Sequence, residues 1–208
     1  MFDAVIFDLD GTLIDTESLA IRAGRAALAA LGAQADDALF HSLIGKDHPS
    51  GDLILAAAFP ALDIARLNVL WRNGFMELAE AGLPLKPGVH DLLARLALPR
   101  ALCTSSWRDG TDRKLAQAGL ADAFAIRISR DDVTMAKPHP EPYLLTAARL
   151  GVDPARCLVF EDSEPGAEAA FAAGCTVVQV PDVLPASGRF AHHVAPTLLE
   201  GARLAGVI

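Results

Sequence analysis

The sequence predicts an α/β fold, in which helices cover both faces of a parallel sheet and an all-helical segment is inserted after the first strand. Two observations lead to this prediction. Short apolar runs alternate with helical patterns in the second half of the chain, and each run is continuously hydrophobic, as in strands buried on both faces. Between the first and second runs the patterns are all helical, so no strand is predicted there.

Five runs have the length and composition of strands: Ala4–Phe7, Ala101–Cys103, Ala125–Ile128, Leu158–Phe160 and Thr176–Val180. Helices are predicted between or after the later strands, at Asp112–Ala118, Glu141–Leu150 and Glu164–Ala173. Because strand and helix alternate, the predicted connections are those of a Rossmann-like parallel sheet.

The inserted segment contains four predicted helices, which are Ser18–Leu31, Asp36–Ile44, Gly51–Phe59 and Ile64–Ala81. The stretch Leu43–Asp52 is predicted to be a loop, because its two glycines and its proline interrupt the helical pattern. We therefore expect a core domain over residues 1–16 and 83–208 and a helical domain over residues 17–82.

The composition limits the possible functions. The chain has 208 residues, of which 52% are hydrophobic, and its net charge is −8. A nucleic-acid partner is not expected, because nucleic-acid binders present a basic surface. Cys103, Cys157 and Cys175 are widely spaced, as is typical of buried free thiols in a reducing compartment. Neither a signal-peptide pattern nor an apolar run of bilayer length is present, so we expect a cytoplasmic protein without a membrane partner. A monomer or weak dimer is expected.

Four polar clusters lie where a parallel sheet of this kind binds ligands. They are Asp8-Leu9-Asp10-Gly11-Thr12, Thr104-Ser105-Ser106, Lys137-Pro138 and Glu161-Asp162-Ser163. Because the carboxyl ends of parallel strands share one edge of the sheet, we expect these clusters to meet. Each alone is also explained by a turn, a helix cap or a surface pair, but together they complement one another.

The clusters predict phosphoryl-transfer chemistry. Crowded carboxylates raise one another's pKa values unless a cation joins them, and Mg²⁺ prefers oxygen ligands of this kind. Lys137 adds a fixed positive charge, and Thr104 with the backbone N–H groups after it can hold the oxygens of an anion. One carboxylate can attack phosphorus, while a second, two residues on, exchanges protons with the leaving oxygen and with water. Gly11 allows a sharp turn beside both.

The stretches FDLDGTLID, CTSS, AKPHPEPY and VFEDSEPG resemble, in this order, the four motifs of the haloacid dehalogenase-like superfamily. The helical insert resembles the small cap domain of the subgroup that contains phosphoglycolate phosphatase and β-phosphoglucomutase. The resemblance implies that Asp8 is the nucleophile and Asp10 the general acid and base. It implies that the carboxylates of Asp8 and Asp162 and the carbonyl of Asp10 bind Mg²⁺, with Glu161 behind them, orienting Lys137 or metal-bound water.

The resemblance also implies which residues bind substrate. The residues expected to bind the phosphate are Thr104, Ser105, Lys137 and Gly11. The residues expected to contact the rest of the substrate are Gly45, Lys46, His48, Arg72, Ser106 and Arg108.

The expected function is Mg²⁺-dependent hydrolysis of a small phosphorylated metabolite through an aspartyl-phosphate. Asp10 favours phosphate esters, because the haloacid dehalogenases and phosphonate hydrolases of the family lack an aspartate there, although Lys46 keeps a phosphonate substrate open. A sugar-phosphate mutase is the first alternative, and Ala20 counts against it because such mutases usually carry a histidine at that position. A phosphoacceptor signalling domain and a non-catalytic binding protein are further alternatives.

Overall fold

The computed structural model describes residues 1–44 and 48–208, so Gly45, Lys46 and Asp47 lie outside the described residues, as does the side chain of His48. Six parallel strands form one sheet in this part of the chain, in the order β3-β2-β1-β4-β5-β6. Their bounds are β1 Ala4–Phe7, β2 Arg100–Cys103, β3 Ile126–Ile128, β4 Cys157–Glu161, β5 Thr176–Gln179 and β6 His193–Val194. The predicted α/β fold with a parallel sheet is confirmed.

Each predicted helix is present, although the helix predicted from Asp112 begins at Arg108, and there are two additions. The helix bounds are α1 Thr16–Ala30, α2 Asp37–Leu43, α3 His48–Ala58, α4 Ile64–Glu80, α5 Val89–Arg95, α6 Arg108–Gln117, α7 Glu141–Leu150, α8 Glu164–Ala172 and α9 Leu198–Leu204, with short 3₁₀ turns at Arg130–Asp132 and Pro154–Arg156. The two additions, α5 and α9, have seven residues each, which is too short for a clear periodic pattern. None of the described helices is long and apolar enough to cross a membrane.

One local prediction is wrong, and one short strand was not predicted. The predicted loop over Leu43–Asp52 ends early, because α3 begins at His48 and contains both Pro49 and Gly51. Proline is tolerated in the first turn of a helix, where its missing N–H would have no partner within the helix. The sequence also gives no sign that His193 belongs to a strand, because β6 is only two residues long and lacks an apolar run.

The middle of the sheet forms the core and sets the register of the strand ends. Phe7 is fully buried at the end of β1 and pairs with Leu102 of β2 on one side and Phe160 of β4 on the other. The rings of Phe7 and Phe160 stack with 5.2 Å between centroids. Because these strands end in register, the residues that follow them emerge at one edge of the sheet.

The chain divides into two compact units, one formed by Met1–Asp15 with Pro84–Ile208 and the other by Thr16–Leu83. The smaller unit is all helical in its described residues and packs around buried Leu28, Phe40 and Leu67. In that unit the Trp71 ring lies edge-on to Phe40, 5.7 Å away, and its indole N–H donates to the Ala20 carbonyl over 2.7 Å. The helical unit therefore has a hydrophobic core of its own.

Candidate active site

Three carboxylates converge where β1 and β4 end. Asp8 directly follows β1, and its backbone N–H donates to the Phe160 carbonyl, which continues the ladder by one residue. Glu161 is the last residue of β4, and Asp162 follows it. Oxygens of Asp8, Glu161 and Asp162 all lie within 4.8 Å of one another. The predicted meeting of the first and fourth clusters is therefore observed.

Lys137 joins this group from the segment before α7. Its ammonium donates to Asp8 Oδ1 over 2.7 Å, to Glu161 Oε1 over 2.6 Å and to the Cys103 carbonyl over 2.9 Å. Three acceptors match the three protons of the ammonium group. Burial lowers the pKa of Lys137, but the charges of Asp8 and Glu161 outweigh burial and raise it overall. Lys137 therefore stays charged inside the protein.

Glu161 is fully buried and held on both of its oxygens. The Tyr143 hydroxyl donates to Oε1 over 2.6 Å, and the Ser163 hydroxyl donates to Oε2 over 3.0 Å. A Cβ on Gly166 would lie only 1.9 Å from Oε1, so the first turn of α8 can approach this carboxylate only with glycine there. Tyr143 and Gly166 both lie within the quoted motifs, but no role was predicted for either from the sequence.

Burial raises the pKa values of Asp8 and Asp162, because one lysine does not neutralise the three carboxylates. It raises the pKa of Asp8 to about 7, against the lowering effect of Lys137 and with a further rise from Glu161. It raises the pKa of Asp162 to about 9, with further rises from the charges of Glu161 and Asp8. An all-oxygen donor set with uncompensated negative charge suits a hard divalent cation such as Mg²⁺. The residues present therefore fit the predicted cofactor.

The turn after β1 packs directly on Asp162. Gly11 has a φ of 83°, and a Cβ there would lie 2.4 Å from Asp162 Oδ2. The Thr12 hydroxyl donates to Asp162 Oδ1 over 3.2 Å. Glycine is required at position 11 both for the left-handed backbone and for the space that Asp162 occupies.

The second cluster lies at the end of β2. Thr104 is buried, and its backbone N–H donates to the Ile128 carbonyl over 2.9 Å. The Thr104 hydroxyl oxygen accepts from the Ser106 N–H over 3.1 Å, while Ser105 is exposed. The fold thus brings hydroxyls and backbone N–H groups of this loop to the same edge of the sheet, and their binding of phosphate stays a prediction.

Asp10 is held by one residue of this loop and by one residue of α6. The Ser106 hydroxyl donates to Asp10 Oδ2 over 2.8 Å, and Lys114 of α6 donates to both Asp10 oxygens over 2.7 Å. Lys114 was missed by the sequence analysis. A signal was present, because Lys114 lies beside buried Thr111 and Leu115 on the face of α6 that packs on the protein.

The other predicted substrate residues belong to α6, to the helical unit or to the segment outside the described residues. Arg108 donates to Asp132 Oδ1 over 2.6 Å on the surface. Arg72 belongs to the helical unit and lines a cavity of about 520 Å³ there. His48 begins α3, while Gly45 and Lys46 lie outside the described residues.

Known proteins share these features with the chain. A family model for haloacid dehalogenase-like hydrolases matches residues 2–174. The chain is 35% identical over 180 residues to the phosphorylated carbohydrates phosphatase of Thermotoga maritima, covering 83% of this chain and 82% of that protein. It is also 35% identical over 185 residues to a phosphoglycolate phosphatase of Yersinia pseudotuberculosis, covering 84% and 78%. The crystal structure of a candidate beta-phosphoglucomutase from Thermotoga maritima matches with a TM-score of 0.82 and 30% identity over 98% of both chains.

These similarities confirm the predicted family and enzyme class. The family match spans the four motifs and the helical insert between the first and second of them. The chain belongs to the haloacid dehalogenase-like hydrolases, in the subgroup of phosphoglycolate phosphatase and β-phosphoglucomutase, and is a hydrolase acting on phosphate esters.

Proposed function

We propose that the protein hydrolyses phosphate monoesters of small metabolites, with Asp8 as the nucleophile and Mg²⁺ as the cofactor. The observation that carries the proposal is the position of Asp8, at the buried end of β1, between Lys137 and Asp162. Such a carboxylate is fixed in direction and faces a local excess of negative charge that Lys137 offsets only in part.

In the first step a carboxylate oxygen of Asp8 attacks phosphorus while the bond from phosphorus to the ester oxygen breaks. Asp10 gives its proton to that departing oxygen, so the alcohol leaves neutral. Lys137 holds Asp8 by a hydrogen bond of 2.7 Å and supports the attacking oxygen's direction. Thr104 contacts the phosphoryl oxygens with its hydroxyl group, and Ser105 contacts them with its hydroxyl and N–H groups.

In the second step water attacks the phosphorus of the aspartyl-phosphate. Asp10, now a carboxylate, takes a proton from this water, and the bond from Asp8 to phosphorus breaks. Inorganic phosphate leaves, Asp8 is again a carboxylate and Asp10 again carries its proton. One ester and one water give one alcohol and one phosphate, so the cycle balances.

Asp8 and Asp162, with the backbone carbonyl of Asp10, would hold the Mg²⁺ ion. When bound, Mg²⁺ neutralises negative charge on the phosphoryl oxygens and on the carboxylates. Glu161 has its oxygens engaged by Lys137, Tyr143 and Ser163, which supports an orienting role behind the ligands.

The helical unit is proposed as a cap that selects the leaving group. Its cavity of about 520 Å³ is lined mostly by apolar side chains, including Leu55, Trp71 and Phe75, with Asp52, Asn68 and Arg72 as its polar groups. Asn68 already donates to Asp52 over 2.7 Å, a pairing that hydroxyl groups of a ligand can extend. The relative named for phosphorylated carbohydrates supports a polyhydroxylated phosphate ester as substrate. The other proposed contacts are Gly45, Lys46, His48, Ser106 and Arg108.

The test is phosphate release from a panel of sugar phosphates, phosphoglycolate, nucleoside monophosphates and p-nitrophenyl phosphate, with Mg²⁺ and with a chelator. We expect turnover that needs Mg²⁺ and is lost in Asp8→Asn. Asp122→Asn is the matched control, because it removes a carboxylate from an exposed position. Turnover that survives Asp8→Asn, or no turnover of any ester by the native chain, would contradict the proposal.

A sugar-phosphate mutase is the second candidate, because the beta-phosphoglucomutase candidate of Thermotoga maritima matches over nearly the whole chain. In a mutase the phosphoryl group returns from Asp8 to a sugar instead of passing to water. Isomerisation of glucose 1-phosphate, followed by NMR, distinguishes the two: the mutase isomerises it faster than it releases phosphate, and the phosphatase does the opposite.

A further inference from the structure

The carboxylate of Asp10 forms a closed ring of hydrogen bonds with two groups, the Lys114 ammonium and the Ser106 hydroxyl. Lys114 Nζ contacts both Asp10 oxygens over 2.7 Å and the Ser106 hydroxyl oxygen over 3.0 Å, and that hydroxyl donates to Asp10 Oδ2 over 2.8 Å. We propose that Lys114 is a positioning residue, which with Ser106 fixes the direction of the Asp10 carboxylate for its proton transfers. The inference rests on the proposed function, because it assigns Lys114 a part in that reaction.

The ring leaves Asp10 little freedom. An ammonium group has three protons, and the ring accounts for all three. The Ser106 hydroxyl accepts one of these protons and donates its own proton to Asp10, so the orientation of the hydroxyl is fixed as well. A carboxylate held through both oxygens cannot rotate about its Cβ–Cγ bond without breaking two contacts to Lys114. Proton transfer depends steeply on such alignment, because donor and acceptor must lie within hydrogen-bond reach.

The partial exposure of Lys114 and Asp10 argues against a purely structural role of their contact. The side chains of Lys114 and Asp10 are 25% and 29% exposed, so water screens their attraction. The helix that carries Lys114 is anchored by buried Thr111 and Leu115, which do not depend on the lysine. Lys114 is therefore placed to orient Asp10 without being needed to hold α6.

The geometry also argues against direct substrate binding by Lys114. A second anion would have to compete with Asp10 and Ser106 for the same three protons. If Lys114 bound substrate directly, its removal would raise KM. If it orients Asp10, its removal lowers the rate of the chemical steps and leaves KM nearly unchanged.

The decisive experiment compares two leaving groups. An alkyl phosphate needs its departing oxygen protonated, whereas p-nitrophenolate leaves without a proton because it is a weak base. In Lys114→Met we expect kcat/KM for the best alkyl phosphate of the panel to fall by about 10-fold or more, as for partial loss of general acid catalysis. The same value for p-nitrophenyl phosphate falls much less. Lys114→Arg restores most of the difference, because a guanidinium can again contact the carboxylate.

Arg113→Met is the matched control, since it removes an exposed cation from the adjacent position of α6 and is expected to change neither substrate's kcat/KM. Equal losses for both leaving groups in Lys114→Met, no loss for either, or a rise confined to KM would overturn the inference. None of these results would affect the Asp8→Asn test of the proposed function.

A second measurement does not need turnover. The shift of the urea midpoint caused by Asp10→Asn is compared in the native chain and in the Lys114→Met background. We expect the substitution to be less favourable in the native chain, because there it also removes the contact to Lys114. Equal shifts in both backgrounds would show that Asp10 and Lys114 are not coupled, which would overturn the inference even if no substrate were found.

Discussion

Two lysine–aspartate pairs hold the two aspartates that follow β1, and they differ in burial. The Lys137 and Asp8 side chains are 5% and 9% exposed, and Lys137 also contacts fully buried Glu161. The Lys114 and Asp10 side chains are 25% and 29% exposed. A buried charge depends on its partner for stability, whereas a half-exposed charge can be solvated instead. We therefore expect the loss of Lys137 to lower both activity and stability. The loss of Lys114 is expected to lower activity with little change in stability.

The largest expected effect is that of Lys137→Met. The substitution leaves Asp8 and Glu161 buried without their cation, which costs about 3–5 kcal/mol of unfolding free energy. Activity is lost as well, since Asp8 loses the contact that directs it. Urea denaturation at neutral pH measures the first effect, and phosphate release measures the second. A loss of stability no larger than that of Lys114→Met would remove the distinction between the two pairs.

Gly11→Ala tests the packing of the β1 turn on Asp162 and the proposed metal site there. A side chain at a φ of 83° costs about 1–3 kcal/mol, and here its Cβ would also meet Asp162 Oδ2 at 2.4 Å. Gly119→Ala is the matched control, because Gly119 has a φ of 70° but nothing within 4 Å of its added Cβ. We expect both variants to lose stability and only Gly11→Ala to require more Mg²⁺ for activity. An unchanged Mg²⁺ requirement in Gly11→Ala would contradict a metal site at Asp162.

The buried carboxylates predict an unusual pH dependence in the presence of a chelator. Burial raises the pKa of Asp8 to about 7 and that of Asp162 to about 9, so between their unfolded and folded values the folded chain binds more protons than the unfolded chain. Stability therefore falls as pH rises through this window. We expect a lower melting temperature at about pH 8 than at about pH 5.5.

Two further measurements check this assignment. Asp162→Asn reduces the slope, because it removes one of the two titrating groups. Mg²⁺ reduces it too, because a cation favours the carboxylate forms. A melting temperature that rises with pH in the chelator, with or without Asp162, is the contrary outcome.

The smallest expected effect is that of Lys114→Met on stability. The pair is partly solvated, so its loss costs about 1 kcal/mol or less. Urea denaturation of Lys114→Met and of Arg113→Met measures the difference between their free energies of unfolding. A loss comparable to that of Lys137→Met would mean that Lys114 holds the fold as well as Asp10.

The same contrast explains what could be predicted from the sequence. The ends of β1 and β4 were predictable, because strands buried on both faces give continuous apolar runs and the polar residues after them stand out. The contact between Lys114 and Asp10 joins residues 104 positions apart. The spacing from Thr111 and Leu115 places Lys114 on the packed face of α6, but no local pattern specifies Asp10 as its partner. The start of α3 was missed for a local reason, since Pro49 marks a turn and a helix first turn equally well.

The most direct test of the account asks whether phosphate is transferred to Asp8. Asp10→Asn slows the attack of water, so the variant is mixed with substrate and Mg²⁺, quenched in acid and examined by peptide mass spectrometry. We expect phosphate on the peptide that contains Asp8, and none when Asp8→Asn is added. Phosphate on another residue, or turnover by the native chain with no phosphorylated peptide in either variant, would contradict it.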